Sequence, residues 1–201
     1  RDVLARPDID AVLIASPIHW HGVMTIMAAK AGKDIYCEKP TAVTIRESQA
    51  MKAAVQRYGR VFQAGTQQRS EYGGKFRRAV ELIRNGAIGE LKEIYGCRPG
   101  GSYEWKRFGP AKPVPPDLDW NLALGPAPWQ EFAGVAHAHM FVGVGDINWG
   151  PHHYDIFQWA LDADRSGPVE LFFEKNVLQY RYANGVVVHA EHFPSDSTGS
   201  S

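Results

Sequence analysis

From Ile9 to Ala15 the chain reads Ile-Asp-Ala-Val-Leu-Ile-Ala, a nearly continuous apolar run that stops at Ser16-Pro17. Such a run predicts a strand buried on both faces. Trp20 to Lys30 then switches to a helical period, with Val23, Ile26, Met27 and Ala31 on one face and Gly32 placed to end the helix. A second short apolar strand, Ile35-Tyr36-Cys37, runs into Glu38-Lys39-Pro40. Strand, helix and strand make a βαβ unit, whose strands are expected parallel with a right-handed crossover. Thr44-Ile45-Arg46-Glu47 has the form of a capping box, and Met51, Ala54, Val55 and Tyr58 give the helix behind it a buried face that ends at Gly59. Val61 to Ala64 is a third strand; Phe76, Ala79, Val80 and Ile83 mark a third helix, stopped by Gly86. This alternation predicts an α/β fold with a parallel sheet.

The pattern changes after Gly89. Leu91 to Gly96 is strand-like, and residues 100–128 are rich in Gly, Pro and Trp. A long excursion of that kind in a compact domain usually serves function. Pro151 to Leu161 predicts a short helix with Pro151 in its first turn. Val177 to Tyr182 and Val186 to Phe193 flank Asn184-Gly185, which predicts a hairpin with a type I′ turn. The expected organisation is a parallel-sheet domain over 1–88, an α+β domain with an open antiparallel sheet over 89–194, and a polar tail over 195–201. Arg1 to Ala5 reads as the end of a helix with no initiator methionine, so the natural ends are expected to lie outside this chain.

Composition narrows the function classes. The chain has 201 residues, 44% hydrophobic and 22% charged, with net charge +0, as in an ordinary soluble globular protein. Without a basic stripe it has no support as a nucleic-acid binder. No apolar run is long enough to cross a bilayer. Two cysteines, Cys37 and Cys97, make no disulfide scaffold, so a reducing, cytoplasmic setting is expected; an export signal upstream remains open. Cys37, inside an apolar strand, reads as core.

The chemistry gathers in two stretches. Ser16, Pro17, His19 and His21 follow the first strand, and Glu38, Lys39 and Pro40 end the second. Ligands of doubly wound sheets bind outside the carboxyl ends of the strands, so these clusters should be neighbours at one edge. Ser16 and Pro17 would admit a flat ligand close to the backbone. For His19 and His21 singly, capping and packing remain the stronger readings, and Glu38-Lys39 alone could be a surface pair. Gln67-Gln68-Arg69, after the third strand, reads equally as site-facing or as solvated loop. The second stretch is Asp146 to Asp155, where His152 and Asp155 stand three apart on one helical face. A carboxylate there could fix the imidazole tautomer for acid–base work, or the two could be a structural pair. Adjacent His152 and His153 diverge on a helix and make poor joint ligands, so no metal is expected. No Gly-x-Ser-x-Gly elbow and no strand-borne Gly-x-Gly-x-x-Gly occurs. Trp105, Lys106, Trp120, Trp149 and His153 are candidates for a polar and aromatic ligand wall, although Trp is more often core.

Ile14-Ala15-Ser16-Pro17, His21, Ala31-Gly32-Lys33 and Cys37-Glu38-Lys39-Pro40 resemble the second half of the nucleotide-binding domain of Gfo/Idh/MocA oxidoreductases. Arg84 to Gly89, Leu118 to Pro128 and Asn148 to Asp155 also fit that family, so the resemblance covers nearly all of the chain. It implies a Rossmann-type domain for NAD or NADP, and a second domain that closes the substrate site and mediates homo-oligomerisation. The implied reaction is reversible hydride transfer between a sugar or polyol carbon and the nicotinamide. The implied catalytic residues are Lys39, His152 and a supporting Asp155. Ser16, Pro17, His19, His21, Glu38, Lys39 and Pro40 are implied at the cofactor, and Lys39, Trp149, His152 and His153 at the substrate. Two departures stand out. Many relatives carry an aspartate where this chain has Asn148, which cannot relay a proton as a carboxylate does. The Gly-rich phosphate turn that opens the family's domain is not in this sequence. Two other implied readings are a relative that oxidises its sugar transiently to cleave or epimerise it, and a sensor without turnover.

Overall fold

The computed structural model describes residues 2–96, 110–134, 146–175 and 177–190, with backbone only for 146–149. They form two units, one from Arg1–Gly65 with Ser102–Asn148 and the other from Thr66–Gly101 with Trp149–Ser201.

In the first unit a short helix α1 (Asp2–Ala5) precedes β1 (Ala11–Ile14), α2 (Ile18–Lys30), β2 (Asp34–Glu38), α3 (Ile45–Arg57) and β3 (Phe62–Gly65). The strands are parallel in the order β1-β2-β3, with Ile14 opposite Cys37 and Glu38 opposite Gly65. Ile14, Ala28, Ala29, Ile35, Cys37 and Ala54 form the core. Burial drives the Cys37 thiol up to about 11, as suits a packed rather than reactive cysteine. The Thr44–Glu47 capping box forms in full at the start of α3, satisfying its first donors.

The inward face of α2 differs from the sequence expectation. His19, His21, Gly22, Thr25, Ala28 and Ala29 are buried, while Val23, Ile26 and Met27 are only half-buried. Small side chains at Gly22, Ala28 and Ala29 let the helix come close, and larger apolar ones turn to its flank. Lys33 is a buried charge at the other end of this segment. It is 7% exposed, and its ammonium donates to the Arg6 and Ile9 carbonyls at 2.7 Å each. It ties the segment before β1 to the start of β2, hydrogen-bonded as a buried charge must be.

The second unit holds a 3-10 turn at Gln67–Arg69, α4 (Lys75–Arg84), β4 (Glu93–Tyr95), most of α6 (Asp146–Ala160), and the strands β5 (Glu170–Glu174), β6 (Val177–Arg181) and β7 (Val187–His189). Between β4 and α6 in sequence, the first unit carries α5 (Trp120–Leu124). Val80 of α4 packs on Ile156 and Ala160 of α6. The sheet runs β4-β7-β6-β5 and is mixed: β5-β6-β7 are antiparallel, but β4 joins β7 in parallel. The antiparallel part is as expected, and β4 adds in parallel at the edge because a long segment, and not a hairpin, separates it from β7.

Two local expectations also change. The hairpin turn is not type I′, since Gly185 (φ 87°) has positive φ and Asn184 does not. Gly185 N–H donates to Tyr182 O, Tyr182 N–H donates to Val186 O, and the Asn184 side-chain oxygen accepts from Val186 N–H. This is a type I turn followed by a left-handed glycine, the other common hairpin closure. Helix α6 spans Asp146–Ala160, so Pro151 lies inside it and not in its first turn. A proline there removes one helical hydrogen bond. Gly150 beside it leaves room for the Tyr154 ring, which lies 2.8 Å from where a Cβ would stand.

Candidate active site

The carboxyl ends of β1 and β2 are drawn together by His21. Its Nε2 lies 2.7 Å from the Ser16 carbonyl oxygen and its Nδ1 lies 2.7 Å from the Pro40 carbonyl oxygen. The ring is 1% exposed. With both nitrogens engaged by backbone, His21 has none left for a cofactor and acts on the site through the two turns. Pro40 is buried and follows a cis peptide bond from Lys39.

Lys39 is half-buried at this edge. Burial pulls its ammonium below the ordinary lysine range, and the charge of Glu38 opposes that pull. Glu38 thus moderates the shift without cancelling it. Its carboxylate lies across Gly65, where a Cβ would meet Glu38 Cα and Oε1 at 3.1 Å. Gly65 gives the carboxylate its place at the sheet edge.

Ser16 Oγ is buried and finds no hydrogen-bond partner among the described residues. Pro17 caps α2 without any side-chain hydrogen bond. An orphaned hydroxyl and open helix donors suit a polar, anionic ligand against this turn. Ser16 and Pro17 also border a broad apolar groove lined by Leu13, Trp20, Met24, Leu118 and Leu122.

His19 and Trp20 serve the fold. His19 Nε2 lies 2.8 Å from the Ala123 carbonyl, and Trp20 Nε1 donates to the Leu122 carbonyl at 3.0 Å. Together they satisfy the last carbonyls of α5, which a helix end leaves without partners. Gly125 lets the Trp20 ring lie against this end: a Cβ would sit 2.3 Å from the indole, and φ is 51°. Gly125→Ala is expected to cost about 2 kcal/mol by overpacking and backbone strain. The urea midpoint of the variant should fall with an unchanged m-value. Trp120 is core, 8% exposed and edge-on to Phe132 at 5.1 Å, and does not form a ligand wall.

In the second unit, His152 and His153 are half-buried on α6. One turn on, both oxygens of Asp155 accept from Arg69, Oδ2 from Nε at 2.7 Å and Oδ1 from Nη2 at 2.8 Å. Arg69 Nη2 also donates to Asp164 at 2.7 Å, and its guanidinium lies 5.2 Å from the Trp159 ring centroid. The two carboxylates raise the Arg69 pKa, and Arg69 holds Asp164 below the usual carboxylate range. Asp155 is therefore a clamp on α6, one turn past His152. Arg69 is the residue sequence reasoning left open; its signal was a guanidinium at a strand's carboxyl end, and its partners lie 86 and 95 residues away. The Trp149 side chain, and Trp105 and Lys106, lie outside the described residues. Among the described residues no helix is long and apolar enough to cross a membrane.

Residues 1–66 match the family model described as oxidoreductase family, NAD-binding Rossmann fold, GFO_IDH_MocA. The chain is 39% identical over 125 residues to the uncharacterized oxidoreductase YrbE of Bacillus subtilis (strain 168), covering 62% of this chain and 33% of that protein. It is 39% identical over 94 residues to scyllo-inositol 2-dehydrogenase (NAD(+)) of the same organism, covering 47% of this chain and 26% of that one. It is similar to the solved levoglucosan dehydrogenase in complex with NADH and levoglucosan, at 26% identity and TM-score 0.62, over 95% of this chain and 50% of the other. The chain spans about a third of the length of the first curated relative and half that of this structure. The parallel sheet with chemistry at its carboxyl edge, and the Glu38-Lys39-Pro40 turn within it, thus lie in the stretch that matches the Gfo/Idh/MocA oxidoreductase family model.

Proposed function

We propose that the full-length protein is an NAD(P)-dependent dehydrogenase of a sugar or polyol, with Lys39 as the group that takes the proton of the reacting hydroxyl. The carrying observation is Lys39 itself, held at the carboxyl edge of the sheet with its pKa lowered by burial. A base must be partly neutral near the working pH, and burial moves a lysine that way. The nicotinamide, when bound, supplies the acceptor for two electrons and a hydrogen from the carbinol carbon. Ser16, through its orphaned hydroxyl, and Pro17, through its rigid turn, would hold it against the end of β1. His152 is proposed as the second acid–base group, on a helix fastened by Asp155 and Arg69. Trp149 and His153, on the same helix, are proposed at the substrate. Similarity to an inositol dehydrogenase and to a levoglucosan dehydrogenase supports a hydroxyl-rich ring as substrate.

The intact protein is proposed to act as a homo-oligomer. Leu171 and Phe173 stand on one face of β5, 63% and 73% exposed, as an apolar sheet face awaiting cover would.

The test is incubation of the full-length protein with NAD or NADP and a panel of aldoses, inositols and anhydrosugars. Sustained NAD(P)H formation with at least one of them is expected. Conversion of a sugar with no net NAD(P)H would favour transient oxidation. Binding with no conversion at all would sink the reading.

A further inference from the structure

We propose that His21 is a positioning residue of the active edge: an imidazole protonated on both nitrogens that ties the Ser16 turn to the Pro40 turn and so sets where Lys39 stands. The reason is the count of donors. Each ring nitrogen lies 2.7 Å from a backbone carbonyl oxygen, Ser16 on one side and Pro40 on the other. A carbonyl oxygen accepts and never donates. A neutral imidazole carries one N–H, so one of the two contacts would set a ring lone pair against an oxygen lone pair at hydrogen-bonding distance. Two N–H donors remove that clash and make both bonds charge-assisted. The ring is 1% exposed, so water does not supply the alternative.

Glu38 and Lys39 follow the β2 side of the tie. Glu47 of α3 packs against Gly22, the residue after His21, with 3.6 Å from the Gly22 Cβ position to Glu47 Cβ. The Glu47 carboxylate itself accepts from the Val43 and Thr44 amides. Cys37 and Thr25 complete the buried layer around this turn of α2. The mechanical consequence concerns Lys39. Its peptide neighbour Pro40 is fixed through His21 to the β1 turn, so the lysine backbone cannot shift independently of Ser16. The catalytic part of the proposal rests on the dehydrogenase reading; the tie itself does not.

The experiment uses full-length protein with nitrogen-15 histidine and carbon-13 lysine labels. The His21 ring signals are assigned in wild type through their correlation to the His21 backbone. In wild type at neutral pH, both His21 ring nitrogens are expected to carry a slowly exchanging proton. One unprotonated nitrogen would overturn the proposal, and this reading stands even if the variant does not fold. In folded His21→Asn, the Lys39 titration midpoint should move up toward the ordinary lysine value as the turn loosens. A midpoint that stays put would remove the positioning role. If wild type turns over substrate, His21→Asn should lower kcat on the order of tenfold to a hundredfold with a smaller change in KM. If wild type has no dehydrogenase activity, the nitrogen and lysine spectra still decide the tie, while the functional reading fails separately.

Discussion

Lys39→Ala in the full-length protein is expected to lower kcat by about 10³-fold, within the usual range for losing a general base. Cofactor affinity should change little, because Ser16 and Pro17 remain. The pH profile makes the test sharper. Burial lowers the Lys39 pKa from its ordinary value of 10.5, and Glu38 partly opposes the shift. The base form therefore grows in as pH rises through a value below 10.5, and the rate of substrate oxidation should rise with it. Lys39→Ala should erase that rising limb. Lys39→Arg should not restore the rate, since a guanidinium keeps its proton throughout. Glu38→Gln removes the opposing charge, so the limb should move to lower pH. Full turnover in Lys39→Ala would end the assignment of Lys39 as base.

Arg69→Met should produce the largest loss of stability, about 3 kcal/mol. It removes two bonds to Asp155 and two, one of them long, to Asp164, and hydrogen bonds to charged groups are worth about 1.5–3 kcal/mol each before solvent screening. The Arg69 and Asp155 side chains are 33% and 19% exposed, so the pair is screened only in part. Removing Arg69 alone strands two carboxylates; Arg69→Met with Asp155→Leu should recover part of the loss, which a double-mutant cycle would measure. The sign of the pH dependence follows from Asp164, whose folded pKa lies below 3.8. Its contribution is fully present above 3.8 and is lost as pH falls through the folded value. Acid unfolding of Arg69→Met should therefore be shallower than that of wild type. Equal urea midpoints for the two proteins would show that the clamp contributes nothing.

The same two residues mark how far the site could be read from the chain. Lys39 was visible as a candidate because its context is local: an apolar strand, then an acid, the lysine and a proline within four positions. Arg69 was not, because a guanidinium in a turn carries no mark of carboxylates that fold back to it from α6 and the turn beyond. His152 and Asp155 were seen as a possible pair by helical spacing, yet both Asp155 oxygens bind Arg69. Spacing along a helix tells which side chains can meet, and not which partner from another element competes for them.

The fold divides in the same way. Hydrophobic period, the Thr44–Glu47 capping box and the glycines after each helix determined the order of strands and helices through β3, since these are backbone preferences expressed over a few residues. The parallel sheet followed from their alternation. Tertiary structure decided the rest. It chose the His21–Gly22–Thr25 face of α2 for burial, because close approach to the sheet rewards small side chains over large apolar ones. It seated β4 beside β7, a pairing between segments about ninety residues apart that no local pattern encodes. It also turned His21 from a candidate ligand into the link between two turns, because only folding brings the Ser16 and Pro40 carbonyls to the two sides of one ring.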